Sequence, residues 1–278
     1  MDALVSTEWL ASELGAGDLR IVDATYVDAA TGRDPAAEFA AAHIPGAVFL
    51  ALATLRDVEA DLPNTVPSAA SFAAHMQALG IGDGDRVVLY DSSPWRTSAR
   101  AWFLLRLFGL RDVAILDGGI AKWRAEGRPT EAGETAPAPA SLAVRPAGTS
   151  VRDLAQMKAN LDSGAEQVVD ARSTARFTGE ESDPRAGVAP GHMPGAKSLP
   201  YGALLNAIGT WKRGDALRAA FEDAGVDLAR PIVTTCGSGI TAAVLAFGAH
   251  LLGNDAALYD GSWSEWGADP ATPKVTGA

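Results

Sequence analysis

Cysteine is almost missing from this chain: Cys236 is the only one in 278 residues. That excludes a disulfide within the chain and any cysteine-rich metal site. The four histidines, His43, His75, His192 and His250, are scattered without a close pair of ligand type, so no metal centre is expected. Basic residues are also in deficit. The 23 Lys and Arg face 34 Asp and Glu, a formal net charge of −11, and nucleic acid or anionic lipid would meet a repulsive field. An anionic substrate therefore needs a local basic pocket. No apolar run approaches the ~20 residues that span a bilayer, and the opening MDALVSTEWL lacks the basic and long apolar regions of a signal peptide. The expectation is a cytoplasmic protein without nucleic-acid or membrane partners. Hydrophobic residues at 47% and charged residues at 21% suit an ordinary globular protein, and the length suits two domains of about 150 residues each.

An internal repeat supports that division. AAHIPGAVFL around His43 returns as APGHMPGAKSLP around His192, RVVLYDSS with Asp91 returns as PIVTTCGS with Cys236, and AILDGGIAKW returns as ALYDGSWSEW. IVDAT at Asp23 pairs with VVDAR at Asp170. Four landmarks in one order at nearly one spacing imply two copies of one domain. Short apolar runs alternate with helical patterns in each copy, which predicts an α/β fold with a mainly parallel sheet covered by helices on both faces. Residues 167–170 and 231–235 read as buried strands, and so does 86–90, followed by a helix over 99–110. Ile240, Val244, Phe247 and Leu251 recur at helical spacing and predict one apolar helix face. Residues 129–149 are rich in Pro, Ala, Gly and Thr without periodicity and read as a linker between domains 1–128 and 150–278.

Cys236 stands between an apolar strand and a helix, in TTCGSGITAAV. A lone cysteine is often a small buried hydrophobe, but flanking glycines at element ends serve no core residue. Gly237 and Gly239 let the amides of residues 237–241, through Ile240 and Thr241, turn toward the sulfur as an anion-holding nest at a helix N-terminus. Such a setting lowers a thiol pKa, so Cys236 is expected to be a thiolate nucleophile.

With the repeat, HIPGA, CGSGITA and DGSWSEW in view, the chain resembles the two-domain rhodanese-like sulfurtransferases over almost its whole length. The resemblance implies tandem rhodanese-like domains, an N-terminal one without a working cysteine, as Asp91 fits, and a C-terminal one whose cysteine carries a persulfide. Within that family, basic residues after the cysteine mark thiosulfate enzymes, whereas CG(S/T)G marks the branch acting on 3-mercaptopyruvate. The resemblance further implies that Arg176 in TARFTG and Arg185 in SDPRAG hold the substrate carboxylate, with Ala175 and Asp183 departing from the usual Gly and Glu. It suggests a proton relay of Ser238, His43 and Asp34, set against a packing role for His43, because His192 sits in the same motif. Implied acceptors are thioredoxin or a small thiol, and cyanide in vitro, with no cofactor. Trp263 and Trp266 read as core residues.

Three alternatives stand beside this reading. A thiosulfate:cyanide sulfurtransferase would use the same persulfide. A non-catalytic sulfur-relay or sensor module would keep the fold without turnover. A cysteine phosphatase needs C-x5-R, and no arginine follows Cys236.

Overall fold

A computed structural model describes residues 1–145 and 151–277. It contains two five-stranded sheets. In the first copy the order of elements is β1 (Leu4–Val5), α1 (Thr7–Glu13), β2 (Leu19–Asp23), α2 (Pro35–Ala41), β3 (Ala47–Phe49), α3 (Ala69–Ala78), β4 (Arg86–Tyr90), α4 (Ser98–Leu107), β5 (Val113–Leu116) and α5 (Gly119–Ala125). The second copy repeats it as β6 (Val151–Arg152), α6 (Leu154–Ser163), β7 (Gln167–Asp170), α7 (Thr174–Thr178), β8 (Lys197–Ser198), α8 (Gly214–Asp223), β9 (Ile232–Thr235), α9 (Ala242–Leu251), β10 (Ala257–Tyr259) and α10 (Ser262–Trp266).

The strand orders are β1-β5-β4-β2-β3 and β6-β10-β9-β7-β8, one topology used twice, with parallel pairing throughout. Helices flank both sheets, so their strands are buried on both faces and read as continuous apolar runs. Val87, Val88, Leu89 and Tyr90 of β4 are fully buried, and so is all of β9. The middle strand of each sheet is the one that leads directly into Asp91 or Cys236. Open parallel sheets bind ligands beyond the carboxyl ends of such strands, where the order reverses.

Helix α9 differs from the expected amphipathic helix. It begins at Ala242, which leaves Ile240 in the preceding loop, and Ala242 to Ala249 are buried on every side. The cause is its composition: Ala and Gly fill the positions between the large apolar residues. Gly248 approaches Leu204 so closely that a Cβ there would lie 2.6 Å from Leu204 Cδ1.

The chain divides into two compact units, Met1–Val58 with Val66–Ala147 and Ile208–Thr210, and Glu59–Thr65 with Gly148–Ala207 and Trp211–Ala278. The division is not strictly sequential, since short segments of each half belong with the other. The described part of the expected linker, 129–145, has no helix, but it is tied to the first unit. Trp123 Nε1 donates to Pro129 O, Ala140 N to Gln77 O and Arg145 N to Phe108 O. Residues 146–149 of that linker lie outside the described residues.

Candidate active site

Cys236 directly follows β9, and its surroundings decide between core residue and nucleophile. The residue is 2% exposed, while Gly237 and Ser238 beside it are half-buried. The Gly239 amide donates to Sγ at 3.1 Å, so one N–H of the expected nest is turned onto the sulfur. Gly239 has φ 85°, the left-handed region in which glycine is unstrained. Gly237 is a glycine for a different reason. Its φ is ordinary, but a Cβ there would lie 2.8 Å from Arg185 Nη2 and 3.5 Å from Arg176 Nη2. Two guanidiniums converge on the residue next to the sulfur.

The convergence is built by Asp183. Its carboxylate accepts from Arg185 Nε at 2.8 Å and Nη2 at 3.1 Å, and from Arg176 Nη2. It also accepts from the Arg185 amide at 3.0 Å, an Asx turn that the shorter Asp side chain can close. Arg176 is set by α7, whose cap Ser173 accepts from the Arg176 amide. Arg185 Nη1 reaches Gly237 O at 2.6 Å and Ser264 Oγ at 2.8 Å, and the Ser264 hydroxyl donates to Gly237 O. Two cations share one carboxylate, so the cluster keeps a net positive charge in a chain of net charge −11. Burial pushes Asp183 up, but the hydrogen bonds and charges of Arg185, with the charge of Arg176, outweigh it and hold the carboxyl below its usual range.

The segment opening α10 fastens the loop from behind. Trp263 N donates to Cys236 O at 2.9 Å and Ser264 N to Gly237 O at 3.0 Å, while Cys236 N donates to Ser262 Oγ at 3.4 Å. The Trp263 and Trp266 rings are fully buried, their indole N–H groups held by Ala189 O and Pro273 O. Ile240 is buried, and Thr241 is the N-cap residue of α9 without a side-chain cap bond.

Ser238 belongs to the second compact unit and His43 and Asp34 to the first, and each has partners of its own. His43 is buried, stacks on Phe39 with ring centroids 4.0 Å apart, and places Nδ1 2.8 Å from Phe39 O, an N–H donor to a carbonyl. Its backbone pairs with Glu131, and Nε2 lies 3.4 Å from the Glu131 carboxylate. His192 repeats this arrangement on Phe177, at 3.7 Å and 2.8 Å, with Val275 as the backbone partner. Asp34 is exposed and caps α2 by accepting from the amides of Ala36 and Ala37. Ser238 Oγ instead accepts from Asn64 Nδ2 at 3.1 Å.

Sequence reasoning missed Ser262, Ser264 and Asn64. The first two left a signal, because in the repeated segment the copy without cysteine carries Gly119 and Ala121 at their places. Asn64 left none. Among the described residues, no cluster of three or more His, Cys, Asp or Glu could hold a metal ion, and no helix is long and apolar enough to cross a membrane.

Residues 6–126 and 153–269 each match the rhodanese-like domain family. The chain is 39% identical to human 3-mercaptopyruvate sulfurtransferase over 95% of its own length and 91% of that protein. It is also 39% identical to chicken thiosulfate sulfurtransferase, over 95% and 93% of the two chains. Its fold matches the crystal structure of SseA, a 3-mercaptopyruvate sulfotransferase from Escherichia coli, with TM-score 0.85 and 33% identity, covering 95% of this chain and all of that one.

Proposed function

This chain belongs to the rhodanese-like family, and on that premise we propose that it moves sulfane sulfur from 3-mercaptopyruvate to a thiol through a persulfide on Cys236. The observation that carries this reading is the pair Arg176 and Arg185, bound to one carboxylate and converging over Gly237. A planar guanidinium fork suits the carboxylate and keto oxygens of a 2-oxo acid. Gly237 and Ser238 leave the loop itself without a cation for a dianion such as thiosulfate.

In the first half-reaction Arg176 and Arg185 hold the donor with its sulfur toward Cys236. Cys236 Sγ attacks that sulfur as thiolate. An S–S bond forms, the C–S bond breaks with its electron pair, and pyruvate enolate leaves. In the second, an acceptor thiolate attacks the outer sulfur and frees Cys236. Thioredoxin or a small thiol serves as acceptor, and cyanide serves in vitro. Gly239 holds the sulfur by its N–H, Gly237 keeps room for the guanidiniums, and Ile240 and Thr241 shape the loop as it enters α9. We assign Ser238 to the substrate side of the site. His43 and Asp34 we assign to packing and capping: His192 makes the same ring stack and Nδ1–carbonyl contact as His43, and Asp34 accepts from the first amides of α2. A reducing compartment keeps Cys236 and its acceptor as thiols, and the cytoplasm is the one we propose; a relative from Arabidopsis thaliana is mitochondrial.

Thiosulfate is the second donor to weigh, because the chicken thiosulfate enzyme is as similar overall as the human mercaptopyruvate enzyme. Comparing kcat/KM for the two donors with one thiol acceptor separates them. The expected result is a strong preference for 3-mercaptopyruvate and no pyruvate release by Cys236→Ser. A preference for thiosulfate, or turnover by that variant, contradicts the reading.

A further inference from the structure

We propose that Asn64 is a positioning residue for the Ser238 hydroxyl, fixing it as a hydrogen-bond donor to the keto oxygen of the departing pyruvate; the inference rests on the sulfurtransferase reading above. Asn64 lies on the short segment Glu59–Thr65, which belongs to the same compact unit as Cys236 although it comes from the first half of the sequence. Its Nδ2 donates to Ser238 Oγ at 3.1 Å. The backbone has φ 57°, one of three non-glycine residues with positive φ among those described. Asn is among the few side chains that accept this left-handed geometry.

A serine hydroxyl has one O–H to give and two lone pairs to receive. With the Asn64 amide bound to one lone pair, the O–H must turn away from Asn64. Ser238 is half-buried and adjoins Gly237, where the two arginines converge, so its proton is left for the molecule those arginines hold. As the C–S bond of 3-mercaptopyruvate breaks, negative charge grows on the keto oxygen, and a fixed O–H donor there stabilises the transition state more than the ground state. The carboxamide does not titrate and passes no proton on. The enolate carbon takes its proton from water, and Ser238 stays a hydrogen-bond donor. Cleavage of thiosulfate makes no enolate and does not draw on this donor.

The test compares Asn64→Asp and Asn64→Ala, each alone and in a Ser238→Ala background, using pyruvate release from 3-mercaptopyruvate and thiocyanate formation from thiosulfate. A carboxylate at position 64 accepts the Ser238 proton and turns the donor around. We expect Asn64→Asp to lower kcat with 3-mercaptopyruvate by more than about tenfold, and Asn64→Ala by about threefold to tenfold, the scale of one hydrogen bond. KM should change less than kcat, the loss with thiosulfate should be several-fold smaller, and in the Ser238→Ala background neither substitution should add a further loss. Equal losses with both donors, or full losses without Ser238, overturn the proposal in favour of a purely structural Asn64. A wild type that turns over while both variants keep its kcat overturns the proposal alone. A wild type that releases no pyruvate overturns the donor reading and this inference with it.

Discussion

Asp183 carries two guanidiniums on one buried carboxylate, and the consequence for binding is specific. In the carboxylate-binding role proposed above, removing either arginine takes away a charge-assisted hydrogen-bonding partner, an interaction of about 1.5–3 kcal/mol. Arg176→Ala and Arg185→Ala should therefore each raise KM for 3-mercaptopyruvate by roughly tenfold to a hundredfold, far more than KM for thiosulfate. Steady-state kinetics with both donors checks this, and equal effects on the two would contradict the carboxylate role. The pH behaviour follows from the sign of the Asp183 shift. A carboxyl whose pKa is lowered in the folded state contributes above its ordinary range, near 3.9, and loses the contribution only as pH falls through the lower folded value. The clamp should stay assembled across neutral and mildly acid solution.

At the scale of elements, the two loops that follow the middle strands show one architecture with two fates. In the first copy the Asp91 carboxylate accepts from the amides of Ser93 and Ser98, each at 2.9 Å. Its own side chain thus occupies the loop that elsewhere holds a sulfur, and burial pushes its carboxyl up. Asp23, at the end of the neighbouring β2, is pushed up to about 6, first by burial, against the hydrogen bonds of Thr25 and with the Asp91 charge adding to the rise. A carboxyl raised in the folded state stabilises below its unfolded pKa and loses that contribution as pH rises through the folded value. Asp23→Asn keeps the acceptor oxygen for Thr25 and removes the buried charge. It should raise Tm of the first unit at pH 8 and leave it nearly unchanged at pH 4. Thermal unfolding at the two values checks it, and an equal change at both would contradict a buried, titrating Asp23.

The elements were largely legible in the sequence. Strands 86–90, 167–170 and 231–235 announced themselves as apolar runs because parallel strands buried on both faces have no polar alternation to hide them. The all-round burial of α9 was not legible, since Ala and Gly mark no face by periodicity. The stacking of His43 on Phe39 was half-legible: HIPGA and HMPGA occur in both copies, but the carbonyl of Phe39 that receives its Nδ1 carries no sequence signal. Ser262 and Ser264 became visible only by contrast with Gly119 and Ala121. The partnership of Asn64 with Ser238 depends on a segment that changes compact unit, which no local pattern encodes.

For the whole molecule, the duplicated domain and the net charge of −11 set the terms. The general field repels anions, so a carboxylate-bearing donor binds only where local cations outnumber local carboxylates, as they do around Asp183. Overall identity is equal to a mercaptopyruvate enzyme and a thiosulfate enzyme, so it does not choose between the two donors. Sulfur residence on that one atom is the central claim, and a single-turnover experiment addresses it directly. Reduced protein is mixed with excess 3-mercaptopyruvate without any acceptor, pyruvate is counted, and the intact and digested chains are weighed. One pyruvate per chain, with one extra sulfur atom on the peptide containing Cys236, is the predicted result; pyruvate released without sulfur retained there, or sulfur retained without pyruvate, would contradict it.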